Sequence, residues 1–366
     1  SVQAATTATW ELNGYQDFLR GRTSGLSITR DGRLTLGPKL DTVFSSDQAQ
    51  IWSVATAPDG SLYLGTGNRG RLIKVDAAGQ GTTIWSSDEP EIFAVAVDRA
   101  GVVYAGTSPD GKVYRIENGR ATEYFAPGER YIWALAFAPD GALYVATGQQ
   151  GKIFKVTGPG RGAVYYETAQ AHVTALAFDR EARLLAGSEP NGILYRITGT
   201  PARGFVLYDA NLPEIRAIVP AADGSIYAAA MGGSLTKKTS AASNSSSTSS
   251  TMVTAPATSI TVTDAQSGLN AAPKPDPART APAASSPISA PSTATEVSGV
   301  EKSALYKILP DNTVETLWTS KDENVYDIAA ESASALTFLT DAQGRVYRLD
   351  PRSDRSHQAT LITQTN

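Results

Sequence analysis

The sequence predicts an all-β chain built as a seven-bladed β-propeller, and three observations predict it. A segment that runs from Ile51 to Asp76 recurs with its starts at Ile92, Ile132, Val173, Ile215 and Val325. Its spacing is roughly 40 residues, the length of one four-stranded blade, and only the last step is longer, by about 70 residues. Each copy opens on a short run that is apolar at both parities, such as IWSVA or IWALAF. Such a run fits an inner strand with a neighbour on each face. Finally, the turns carry the residues that hairpins need. Asp59-Gly60, Asp140-Gly141 and Asp223-Gly224 follow the first strand, and a two-residue Asp-Gly between apolar runs is the strongest short hairpin signal. Gly70, Gly111, Gly151, Gly192 and Gly344 close the next turn, where a positive φ costs glycine nothing.

Taken in order, residues 1–20 are polar apart from Trp10-Glu11-Leu12 and Tyr15 to Leu19, and are expected to supply a closing strand. Residues 25–37, with Asp31-Gly32 at the turn, repeat only the first hairpin of a blade and predict a partial N-terminal blade. Closure by strands from both chain ends is common in circular folds of this kind. Four regular blades follow, at about 50–90, 91–130, 131–171 and 172–213 by the ~40-residue period. In each, the second strand reads like Ser61 to Thr66 and the third repeats an apolar, apolar, basic, apolar pattern, as in Leu72-Ile73-Lys74-Val75 and Ile153-Phe154-Lys155-Val156. The recurring base is expected to pair with nearby carboxylates such as Asp59 and Asp140. The fifth blade begins at Glu214 and is interrupted after Met231. Residues 232–301 are Ser, Thr, Ala and Pro with few large apolar side chains, too few to offset the entropy of ordering them. They are predicted to be a disordered insertion within one turn, with a β-prone island at Ser259 to Thr263. The third strand resumes at Ala304 to Ile308, and the last blade spans 323–362. Residues 21–366 are thus expected to form one propeller.

Composition narrows the function. The 366 residues are 41% hydrophobic, enough for a large core, and the net charge of −4 gives no basic surface for nucleic acid. No run of about eighteen apolar residues is present, so no membrane-spanning helix is expected. Cysteine is absent, which removes disulfides, thiolate chemistry and cysteine-held metal. The chain opens at Ser1 with SVQAATTAT, as a mature protein does after loss of an export signal. An extracytoplasmic location (periplasm, cell surface or secreted) is therefore expected.

In a repeat fold the framework repeats, and the positions free to encode a site are those that vary. Here these are the residues entering each inner strand, on the face that also carries the insertion. They pair as Gln50/Trp52, Glu91/Phe93, Tyr131/Trp133, His172/Thr174, Glu214/Arg216 and Asn324/Tyr326. Wedge packing of Trp52, Phe93 and Trp133 between blades is the structural alternative. Trp52, Glu91, Tyr131, Trp133, His172, Glu214, Arg216 and Tyr326 are the candidate binding residues, since aromatics beside carboxylates suit a glycan or a peptide. Other signals carry less. Gly65 to Gly70 spells GxGxxG, but a strand follows it where a dinucleotide site needs a helix. Only His172 and His357 exist, without metal-ligand spacing and without a GxSxG elbow. No catalytic residue, metal or cofactor is assigned.

The run Ala-x-x-Pro-Asp-Gly-x-Leu-Tyr-x-(Gly/Ala)-Thr at Ala55 to Thr66 and Ala136 to Thr147 resembles bacterial exported propellers of the WD-like and NHL-like kind. It looks like an uncharacterised group of these in which a Pro-rich segment interrupts one blade. The resemblance covers residues 21–231 and 303–362, and its motif is one of framework, which speaks to the fold and hardly to an activity. From the candidate residues on the variable face, a non-catalytic binding or scaffold module for a protein, peptide or glycan is expected. The chain is also similar to sugar-lactonase (regucalcin-like) and streptogramin-lyase propellers. The first hold a channel metal with Glu, Asn and Asp; the second use a histidine with acidic partners and magnesium. Neither set maps position by position here. An enzyme of that kind, using Glu91, His172, Glu214 and Asn324, is the alternative, and an accessory subunit of a large assembly is a third.

Overall fold

The computed structural model describes residues 11, 12, 14–232, 301–332, 335–350 and 359–365. Residues 233–300, the bulk of the expected insertion with its island at 259–263, and His357 lie outside the described residues. The described residues build a β-propeller of six antiparallel sheets. Their inner strands are Ile51–Thr56, Glu91–Val97, Tyr131–Phe137, His172–Phe178, Glu214–Pro220 and Val325–Ser332. In blade 1 the remaining strands are Leu62–Thr66, Arg71–Val75 and Gly81–Ser86, each pairing the one before it, and blades 2 to 5 repeat that plan. A single pairing of Gly148 with His172 joins sheets three and four. In blade 5, Ile226–Met231 pairs in unbroken register with Ser303–Ile308, from Ile226↔Ile308 to Met231↔Ser303.

Two sequence expectations are corrected. Residues 25–37 do not begin a seventh blade: strands Leu26–Ile28 and Leu34–Leu36 join the sixth sheet as its fifth and sixth strands. The bond is Ile28↔Leu361 on the last strand, Thr360–Gln364, reinforced by Ser27 Oγ donating to Ile362 O at 2.9 Å. Strands of three residues carry too little pattern to name a partner. Nor do residues 15–19 form a closing strand. Tyr15–Leu19 is a one-turn helix, with Gly14 N–H bonded to Asp17 Oδ2 at 3.2 Å. Tyr15, Phe18 and Leu19 stand three and four apart, on one helical face, and pack into the core between blades 5 and 6.

Turn glycines do what the sequence asks of them. Gly70 and Gly111 have φ of +52° and +57°, and a Cβ at either would run into the carbonyl of Glu89 or Glu129 on the chain entering the next blade. Each turn is thus latched to its neighbour, as in Gly70 N–H donating to Pro90 O at 2.7 Å. The predicted ion pairs form too, Lys74–Asp59 at 3.6 Å and Lys155–Asp140 at 3.2 Å. Both are solvated, so each adds at most about 1 kcal/mol.

The core is a series of seals between blades. Ile92, Ile132, Val173, Ile215 and Val325, at the start of inner strands two to six, are each 0% exposed. Ile92 presses on Gly65, Ile132 on Gly106 and Ile215 on Gly187, where a Cβ would collide; Ala146 and Ala229 hold the matching places in blades 3 and 5. Burying one such side chain is worth about 1.5–3 kcal/mol. The first inner strand breaks the rule. Ile51 pairs Thr66 just as Ile92 pairs Thr107, yet Ile51 is 44% and Val54 58% exposed. Successive inner strands pack together from the first to the sixth, but the sixth is not packed on the first in that way. Only the outer part of blade 1's leading face is covered, Leu64, Ile73 and Val75 lying under Phe44.

Candidate functional site

The candidate residues sit at two register positions of their blades, Glu91, Tyr131, His172 and Glu214 at one and Trp52, Trp133, Arg216 and Tyr326 two residues on, at the end of the inner strand where the chain enters. Buried glutamates two residues upstream hold that end in place. Glu89 accepts from Thr107 Oγ1 and from Asp110 N–H, both at 2.8 Å, and Glu129 accepts from Lys152 Nζ at 3.0 Å. Glu323 accepts from Thr340 Oγ1 at 2.8 Å, Tyr347 OH at 3.0 Å and Arg345 Nη1. Charge-assisted bonds of this kind are about twice as strong as neutral ones. These clamps recur at blades 2, 3 and 6 and were legible as an acidic residue two before the inner strand.

The structure gathers the candidates into two groups. In the first, aromatic rings run from blade to blade: Trp52 to Phe93 at 5.4 Å, Phe93 to Trp133 at 4.7 Å, and Trp133 stacked on Tyr131 at 5.2 Å. Each tryptophan donates its indole N–H to the next blade. Trp52 Nε1 donates to Glu91 Oε2, whose other oxygen accepts from Asn68 N–H at 3.3 Å. Trp133 Nε1 donates to His172 Nδ1 at 3.0 Å. That makes Nδ1 the acceptor and leaves the proton of the neutral ring on Nε2. The wedge-packing alternative therefore holds in part, since the rings do bridge blades. They nonetheless stay partly exposed, Trp52 being 38% accessible.

Gly67 and Gly148 make this arrangement fit. A Cβ at Gly67 would collide with Trp52 Nε1 and Glu91 Oε2, and one at Gly148 with Trp133 Nε1 and His172 Nδ1. Where the inner strand carries Phe93, Thr174 or Arg216, the equivalent residue is Ser108, Glu189 or Met231. This pairing of tryptophan with glycine across two strands was present in the aligned repeats and was missed.

The second group lies on blades 5 and 6. Arg216 Nη1 stands 3.3 Å from Glu214 Oε1, and its guanidinium lies 5.9 Å from the Tyr326 ring centre. Burial raises the Glu214 carboxyl above its ordinary value, Arg216 opposes the rise and the charge of Glu189 adds to it. Partial desolvation also raises Asp327, against its bond from Ile328 N–H and the attraction of Arg216. Between the groups Thr174 turns its hydroxyl to Ile215 O at 2.7 Å.

The four residues of the enzyme alternative are engaged separately. Glu91 serves Trp52, His172 serves Trp133, Glu214 serves Arg216, and Asn324 bonds Asp341 through its N–H and its Nδ2, both at 2.8 Å. Among the described residues no three acidic or histidine side chains gather in a metal-holding group, and no helix is long and apolar enough to cross a membrane.

No protein-family model matches the sequence, and no curated protein sequence matches it. Solved structures do. A streptogramin B lyase aligns with a TM-score of 0.60 at 12% identity, over 88% of this chain and 86% of that one. A catalytically inactive virginiamycin B lyase from Staphylococcus aureus with quinupristin aligns with a TM-score of 0.57 at 12% identity, over 92% and 88%. At that identity the likeness defines the class, a β-propeller of the kind those lyases share, and extends to the fold alone.

Proposed function

We propose that this chain is a non-catalytic binding or scaffold propeller, working outside the cytoplasm, whose insertion-bearing face binds a protein, peptide or glycan. The aromatic run Trp52–Phe93–Trp133–Tyr131, edged by Glu91 and His172, is the observation that supports it. Rings that are partly exposed, Trp52 the most open of them, offer the surface their neighbours leave free to a sugar ring or an apolar side chain. The carboxylate and imidazole beside them offer orienting hydrogen bonds. The location rests on the Ser/Thr/Ala/Pro-rich composition of residues 232–301, which suits exported proteins.

The test is a glycan and peptide array probed with the full chain, followed by calorimetry on each hit with the wild type and Trp133→Ala. Hits weakened about tenfold or more by Trp133→Ala, the scale of a modest hot spot, support the reading. An array without hits, or hits indifferent to that substitution, would sink it. The lyase-like alternative is tested alongside it by incubating the chain with quinupristin and magnesium. Ring opening that is lost in His172→Ala would replace binding with catalysis as the function.

A further inference from the structure

The two blades at the ends of the series differ from the four between them in a patterned way. Blades 1 to 5 each present a socket to the blade that follows, made of a small residue (Gly65, Gly106, Ala146, Gly187 or Ala229) on the second strand. Opposite it on the inner strand stands Ser53 or an alanine. In blade 6 the same two places hold Leu339 and Asp327, and Leu339 is 43% exposed. The tyrosine of blades 1, 2, 3 and 5 (Tyr63, Tyr104, Tyr144, Tyr227) becomes Thr337. A leucine fills the hollow into which an inner-strand isoleucine would press, so blade 6 lacks the socket that would receive Ile51. Its outer face is polar instead, with Asp327, Thr337 and the Glu331–Arg348 pair at 3.2 Å.

Blade 1 keeps the opposite half of a seal. Ile51 and Val54 occupy the positions that Ile92 and Val95 fill at a closed interface, and they are bare. The five closed interfaces within the chain show what covers such residues: an extended strand that turns a small side chain to the isoleucine. The opposing wall selects the strand's other side, since Asp327 has an Ile328 N–H bond and the distant attraction of Arg216 but, among the described residues, no ion pair. We propose that the seam between blades 6 and 1 is a docking slot for a β-strand of a partner protein. That strand alternates apolar with polar residues, sets a glycine or alanine against Ile51, and turns a lysine or arginine to Asp327. It is a face-to-face packing site at the propeller's unsealed joint, lined by side chains rather than by a free strand edge, and separate from the aromatic face.

Because the chain has no cysteine, one introduced thiol reports on one place. The full-length variants Val54→Cys and Lys39→Cys, the latter at a side chain 83% exposed, are each timed with a maleimide. A short synthetic peptide alternating valine with lysine, with one valine replaced by glycine, is the probe. In the free protein the two thiols are expected to react within about threefold of each other, and saturating peptide to slow Val54→Cys about tenfold or more while leaving Lys39→Cys unchanged; Asp327→Asn then raises the peptide concentration needed by about fivefold, close to 1 kcal/mol. If Val54→Cys is already about a hundredfold slower than Lys39→Cys without peptide, the chain fills the slot itself and the proposal fails. It fails equally if peptide protects neither thiol or both alike, or if Asp327→Asn binds as well as the wild type.

Discussion

Blade 1 and blade 2 follow the same sequence pattern, IWSVATAPDGSLYLGTG beside IFAVAVDRAGVVYAGTS, and their strands pair in the same register. Their leading faces nonetheless have opposite fates: Ile92 is sealed at 0% exposure and Ile51 is open at 44%. What differs is the neighbour. Burial in a repeat fold is a property of the interface between repeats, and the last unit on each side keeps an unfinished surface unless its sequence departs from the pattern. Blade 6 has departed, with Asp327, Thr337 and Leu339; blade 1 has not.

Substitutions can break this comparison or sharpen it. The largest effect is expected at the clamp of the end blade. Glu323→Ala leaves Arg345, which is 10% exposed at its side chain, without its carboxylate, and should cost about 3–5 kcal/mol in denaturant unfolding. If blade 6 is held on one side only, that loss appears as a separate early transition. A single unchanged transition would show that the ring is as cooperative there as elsewhere. Next, Ile132→Ala at a closed interface should cost about 2–5 kcal/mol, whereas Ile51→Ala should stay within about 0.5 kcal/mol, as at ordinary surface positions. Equal costs would mean that Ile51 is covered. Gly67→Ala displaces the Trp52–Glu91 bond and should shift and broaden tryptophan emission, while destabilising by about 1–3 kcal/mol through overpacking. Gly60→Ala, which has nothing near its Cβ, should leave that emission unchanged.

The smallest effect is electrostatic. A carboxyl whose pKa is raised in the folded state, as at Glu214 and Asp327, binds its proton more tightly there than in the unfolded chain. The contribution of each of these two groups is full below the ordinary carboxylate range and is lost as pH rises through its raised value. Glu214→Gln should flatten part of that loss and change stability at neutral pH by no more than about 1 kcal/mol, read as melting temperature against pH.

Much of the architecture was legible in the residues themselves. The period near forty, the Asp-Gly hairpins, the turn glycines and the Lys74–Asp59 and Lys155–Asp140 pairs are local features, set by spacing and backbone geometry, and the structure contains each of them. The destination of the N-terminal hairpin was not legible, because Leu26–Ile28 and Leu34–Leu36 are too short to specify a partner. Tyr15 to Leu19 carries apolar residues that suit either a strand or a turn of helix, and contact with the core decided it. At the site, the positions were readable but their grouping was not. Nothing in the spacing says that Glu91 serves Trp52 rather than facing Glu214 across a channel. The glycine beside each tryptophan was the available clue.

The strand pairing that completes the sixth sheet joins residues far apart in the chain. Ser27 and Ile362 are 335 positions apart and bonded, so the N-terminal hairpin has no seat until the strand Thr360–Gln364 has been made. Blades 1 to 4 can assemble as they emerge. The opening segment must wait, exposed to chaperones and proteases, until the closing strand arrives.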